Sequence, residues 1–116
     1  MEIRLKRVYD DPSPEDGYRV LVDRLWPRGL SKERAALDLW VKEVAPSPEL
    51  RRAFHHDGMS WDAFAEAYRS ELGGPARTAV SSLRAELAAH AVVTLLHAVH
   101  DDVHNHALIL RDVLEA

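Results

Sequence analysis

Residues 92–96 read Val-Val-Thr-Leu-Leu, five positions with no apolar–polar alternation. A strand with one wet face alternates, so an unbroken apolar run marks a strand covered on both faces, as in a parallel sheet. The segment after it, about 103–114, sets Val103, Ala107, Leu110 and Leu114 on one helical face. A fully buried strand leading directly into such a helix is the β-then-α unit of an α/β domain.

The rest of the chain agrees. Ile3, Leu5 and Val8 alternate with Glu2, Arg4 and Lys6, a strand with one polar face. Residues 10–17, "DDPSPEDG", form a turn cluster, and 19–22 make a second strand. Ser31 caps a short helical turn, and 37–41 alternate again as a third, edge strand. Ser47 followed by Pro48 reads as a helix start running to about His56. Ser60 caps a second helix whose stripe is Trp61, Phe64, Tyr68 and Leu72. Gly73-Gly74-Pro75 ends it, and a third helix buries Val80, Leu83 and Leu87. No repeat or linker interrupts the pattern. It predicts a single domain over 1–116: a compact three-layer α/β fold with a small, largely parallel sheet and helices on both faces. Strand order does not follow from the pattern.

Composition then narrows the chemistry. The 116 residues include no cysteine, which excludes disulfides, thiolate catalysis and thiolate metal sites and fits a cytoplasmic location. Charges break up the first residues, so they do not read as a secretory leader, and no run is long enough to span a membrane. A net charge of −4 argues against non-specific binding of nucleic acid.

The block with the most unusual chemistry is 23–30, "DRLWPRGL", directly after the second strand. Arginine presents a planar fork of donors suited to phosphate or carboxylate. In a parallel sheet ligands bind beyond the carboxyl ends of the strands, which is where Arg24 and Arg28 would lie. Pro27 and Gly29 would set the path of the loop. Trp26 is either a ligand contact or a lid on the core. Asp23 is either a general base or, the favoured role, an ion-pair partner of Arg24.

A second cluster, 97–106, holds four histidines and two aspartates. His100 and His104 share a helical face, but the His-Glu-x-x-His zinc signature is absent. The competing assignment makes Asp101 or Asp102 the cap of the last helix. His97 and His100 are the groups set to titrate near neutral pH. Asn105 offers an amide to a ligand or a hydrogen bond to the helix start. If the strands before the two blocks are parallel neighbours, the arginines and the helix N-terminus make the two walls of one anion pocket. Further along, Lys42 is a surface charge or a ligand contact, Ser47 a cap, and Tyr68 a core residue whose hydroxyl needs a partner.

The stretches "YRVLVDRLWPRGL", "LWVKEVAPSPELRRAF", "WDAFAEAYRSEL" and "VTLLHAVHDDVHNHALIL" resemble, in that order, the YeaO-like branch of the domain-of-unknown-function 488 (DUF488) family. The likeness covers nearly the whole chain and is most specific in the first block. It implies a small bacterial or archaeal α/β protein with its site-like motifs near strand ends. The family's recurrent positions map onto Asp23, Arg24, Trp26, Pro27, Arg28 and Gly29, then Trp40, Lys42, Pro46, Ser47, Phe54, Phe64, Tyr68 and Asn105. This chain departs in the last block. His97, His100 and His106 stand where the family has tyrosine, lysine and a second asparagine, so the resemblance carries no role onto those histidines. A broader branch has a cysteine-histidine-arginine triplet near this place; without cysteine, thiol chemistry does not transfer.

The leading expectation is therefore an anion-binding cleft for a phosphorylated or carboxylated small molecule. Arg24, Arg28, Trp26, Lys42, Tyr68 and Asn105 are its ligand contacts, and Asp23, His97 and His100 its acid–base candidates if it is an enzyme. The cofactor stays open. The first alternative is a non-catalytic module that presents the Trp26/Arg28 loop to a protein or nucleic acid. The second is metal binding by His100, His104 and Asp101.

Overall fold

A computed structural model of the chain describes residues 1–101 and 103–116. Its four strands are β1 (Glu2–Arg7), β2 (Tyr18–Leu21), β3 (Leu39–Trp40) and β4 (Val92–His97). They form one sheet in the order β1-β4-β2-β3, with every neighbouring pair parallel. Between and after them run α1 (Lys32–Ala35), α2 (Pro48–His56), α3 (Trp61–Gly73), α4 (Arg77–Leu87) and α5 (His106–Glu115). The architecture is α/β, as the pattern predicts.

The apolar run becomes β4, paired with β1 on one side and β2 on the other. Its side chains alternate between two cores. Val93 and Leu95 join Val20 and Val22 in the larger one, beneath α2 to α5. Leu96 joins Leu21, Val8, Leu30 and Ala35 in a smaller one on the opposite face. Cover on that second face is thin: the four-residue α1 and the segments leading into and out of it. Its remaining space is filled by a buried charge cluster. Arg19 donates to Asp16 (2.5 Å) and to the carbonyls of Ala35 (2.8 Å) and Ala36 (3.0 Å), and Lys6 reaches Asp16 at 3.1 Å. The Thr94 hydroxyl donates to the Asp16 carbonyl. A buried cation needs this many acceptors to offset its lost hydration.

Local chemistry accounts for the helix boundaries. Ser31, Ser47 and Ser60 each accept a backbone N–H of their helix, as the capping pattern predicts. Gly17, in the turn cluster before β2, has φ +63°, and a Cβ there would lie 2.3 Å from the Val92 carbonyl oxygen. No side chain fits this crossing.

Three expectations are corrected. The last helix begins at His106, not at about 103, and Val103 is exposed. Its cap is Asn105, whose Oδ1 accepts the Leu108 N–H (3.3 Å). Asp101 does not cap the helix. Its carboxylate accepts the N–H groups of Val103 and His104 in the turn before it, and Asp102 lies outside the described residues. The reason is spacing: Asp101 spends its acceptors on the turn, and the chain enters the helical region only after Asn105. The third strand is also shorter than the alternation at 37–41 implied, although it is at the edge.

Candidate functional site

Because all four strands run the same way, their carboxyl ends lie along one edge of the sheet. A cleft of about 610 Å³ opens there, a size ordinary for small-molecule sites. The segment after β2 lines it with Asp23 through Arg28, and the segment after β4 with Ala98 and Val99. The start of α5 adds His104, Asn105 and His106, and α2 adds Arg51, Phe54, His55 and His56. The blocks "DRLWPRGL" and "HDDVHNHA" thus do share one edge of the sheet, because β2 and β4 are parallel neighbours.

The 23–30 loop is held at three of its own carbonyls. Trp40 Nε1 donates to Asp23 O (2.7 Å), the Tyr9 hydroxyl to Arg28 O (2.9 Å), and Trp26 Nε1 to Leu30 O (2.7 Å). Leu30 N–H closes back on Pro27 O, with Gly29 at φ +75°. The turn Pro27–Leu30 has Arg28 and Gly29 at its corners, and the positive φ at its third residue is type II-like and needs Gly29. Trp26 and Trp40 meet edge-on at 5.4 Å, and Trp26 is half-buried. The costly residues of this block therefore build a rigid turn before they contact anything else.

Arg24 lies across the cleft wall and donates to the carbonyls of Ala45 (3.2 Å) and Pro46 (3.3 Å), just before α2. The favoured Asp23–Arg24 ion pair does not form. Asp23 turns the other way: its Oδ2 accepts the Ala98 N–H (2.9 Å), and its Oδ1 lies 3.2 Å from Nε2 of His106. That Nε2 also sits 3.1 Å from the Val22 carbonyl oxygen. A carbonyl only accepts, so Nε2 carries the hydrogen. The bond completed in good geometry is the one to Val22; Asp23 Oδ1, buried, completes none among the described residues.

Sequence reasoning missed the α2 wall. Arg51 and His55 are four apart on the helix, one turn, and both face the cleft. Among the described residues no carboxylate lies within ion-pair reach of Arg24, Arg28 or Arg51. The His55 pKa is held below its usual value, first by burial of part of its ring beside Phe54 and then by the charges of Arg51, His56 and His106. Much of the ring remains exposed. The signal for these residues was the string "ELRRAFHH", basic along a helix that starts at a recognisable cap.

A family model described as the inactive DUF488-N3 subclade matches residues 2–116. The chain belongs to the DUF488 family. It is 45% identical over 116 residues to the uncharacterised protein YeaO of Escherichia coli K12, covering all of this chain and 99% of that one. Uncharacterised proteins of Mycobacterium bovis and Mycobacterium tuberculosis are 43% identical over 112 residues, with 97% of this chain and 92% of theirs covered. No solved structure matches.

In this DUF488 fold His97, His100, Lys42, Ser47 and Tyr68 are not among the cleft residues, whereas His104 and Asn105 are. His97 is buried at the end of β4. His100 is exposed, 3.5 Å from an Arg7 guanidinium nitrogen. The Lys42 ammonium lies over the Trp40 ring, 4.5 Å from its centre. Tyr68 is fully buried in the main core, where its hydroxyl donates to Val44 O (2.5 Å), and burial holds its pKa well above the usual value. Asn105 lines the cleft, but its amide is spent internally, on Leu108 N–H and on Asp101 O. Ser47 is the α2 cap and donates to Glu71 Oε2 (2.5 Å). His104 meets the Trp61 ring at a tilt, 5.2 Å centre to centre, and lies 3.5 Å from the Asp101 carboxylate. Among the described residues no three His, Asp or Glu side chains converge as a metal site, and no helix is long and apolar enough to cross a membrane.

Proposed function

We propose that the cleft is a cytoplasmic binding site for a small phosphorylated or carboxylated anion, held without chemical conversion. The observation that carries this reading is the charge of the walls. Arg24, Arg28 and Arg51 line one cavity with no carboxylate in reach among the described residues, while Asp23, the one acid lining it among those residues, accepts the Ala98 N–H and lies 3.2 Å from His106 Nε2. A concave, partly apolar site strengthens such cations by excluding water. Two of the three acid–base candidates, His97 and His100, are not among the cleft residues. The family's description as inactive points the same way. A protein or nucleic-acid dock through Trp26 is less well supported, because Trp26 is half-buried and its indole N–H is already bonded to Leu30.

The test is thermal unfolding in inorganic phosphate, pyrophosphate and citrate, each against chloride at matched ionic strength. A ligand at a hundredfold excess over its Kd stabilises by about 2.7 kcal/mol. Arg51→Ala, with affinity lowered about tenfold, roughly halves the shift at the same ligand concentration. Equal melting temperatures in chloride and in all three anions overturn the reading.

A further inference from the structure

We infer that the ligand carries, beside its anionic group, a flat unsaturated ring that lies against Trp26 and Phe54; this rests on the anion-site reading above. Room comes first. A water occupies about 30 Å³ of liquid, so a cleft of about 610 Å³ has space for roughly twenty, far more than one phosphate or carboxylate needs. The three arginines account for only part of the lining. Trp26, Phe54, Phe64 and Tyr9 supply most of the rest, together with small apolar side chains. A purely polar ligand, such as a sugar phosphate, can pair with the histidines of the lining but gives these rings no apolar partner.

The rings are also fixed in place. Trp26 is locked by its bond to Leu30 O and by edge contact with Trp40. Phe54 sits 4.6 Å from Phe64 and 5.8 Å from Trp61, centre to centre. Rings that do not have to be ordered on binding give up little entropy to a partner. Flat partners gain offset or edge-on contact with such walls, and a guanidinium plane beside them stacks on the same ring. Leu25, exposed to solvent, adds a further apolar side chain to the lining.

The experiment is titration calorimetry on the full chain with two matched pairs: phenyl phosphate against glycerol phosphate, and benzoate against lactate. The pairs separate ring from headgroup and phosphate from carboxylate. The ring-bearing member of the preferred pair binds at least about tenfold tighter, the factor set by ring contact plus apolar burial. Phe54→Leu and, separately, Trp26→Leu reduce that preference to about threefold or less; two variants guard against one that misfolds. Equal affinities within both pairs overturn the inference and leave the anion site standing. Failure of all four ligands to bind, at low salt and high protein concentration, overturns both.

Discussion

Asp23 Oδ1 and His106 Nε2 lie 3.2 Å apart where the segments after β2 and β4 meet. The contact joins the two walls of the cleft, since Asp23 follows one strand and His106 opens α5. It also shows why Asp23 is a strut. Both its oxygens face inward, toward Ala98 N–H and an imidazole already committed to Val22.

Asp23→Asn tests that role. The amide oxygen can still accept from Ala98, but its NH2 then meets the Nε2–H of His106, donor against donor. The cost is about 1–3 kcal/mol, read as a lower denaturant midpoint at unchanged slope. Loss of the one acid that lines the cleft among the described residues tightens phosphate binding. Weaker phosphate binding in this variant would mean that Asp23 contacts the ligand.

Arg24 and Arg51 separate structure from binding. Arg24→Ala removes two hydrogen bonds to the loop before α2, each worth about 1 kcal/mol, so the fold weakens by about 1–3 kcal/mol and the phosphate-induced melting shift also falls. Arg51 is exposed with no ion pair among the described residues, so Arg51→Ala changes stability by no more than about 0.5 kcal/mol. Its phosphate affinity nevertheless drops about tenfold. Differential scanning fluorimetry with and without phosphate reads both quantities. An Arg51 variant that binds phosphate normally removes α2 from the site.

Much of this was legible in the chain, for local reasons. The run 92–96 specified a strand between two others, and Ser31, Ser47 and Ser60 specified helix starts, because burial and capping are set by neighbouring residues. Arg24 and Arg28 reached the cleft because a parallel sheet sends every strand end to one edge. Arg51 and His55 stayed hidden because nothing local says which end of a crossover helix returns to that edge. Asp23 was misassigned for a similar reason. Arg24 is its neighbour in sequence, but adjacent residues leaving a strand point apart, and the partner arrived from residue 106. Lys42 lies over the Trp40 ring and Tyr68 is spent on the Val44 carbonyl in the main core, so neither reaches the cleft lining.

Asn105 is the hinge between the His-rich turn and α5. Asn105→Ala removes the cap and the bond to Asp101 O, at a cost of about 1–2 kcal/mol. Asn105→Asp keeps the acceptor for Leu108 and recovers much of that loss, because a carboxylate suits a helix N-terminus. Urea unfolding of the pair decides between the two roles weighed for this residue. If the alanine variant keeps its stability and loses anion affinity, the amide serves the ligand and not the helix.

The cleft's histidine makes stability depend on pH in a way an anion should alter. His55 has a pKa below the 6.5 of a free histidine, first from partial burial and then from the charge of Arg51, with the neighbouring His56 and His106 acting in the same direction. As pH falls through 6.5 the unfolded chain takes up this proton before the folded one does. Stability therefore declines, and the decline ends once pH is below the folded value. Asp16 acts in a different window. Burial alone would raise its pKa, but the Ser13 N–H, Lys6 and Arg19 outweigh burial and hold it below 3.8. Its stabilisation is complete above 3.8 and is lost only as pH falls through that lower value. The melting temperature should therefore fall in two separate steps, one just below neutrality and one below pH 4. Phosphate in the cleft offsets the cations around His55 and favours its charged form, so it flattens the first step and leaves the second. His55→Asn removes this residue's share of the first step. Melting curves from pH 8 to 3, with and without phosphate, show both; a first step of the same size in phosphate and chloride places the bound anion away from α2.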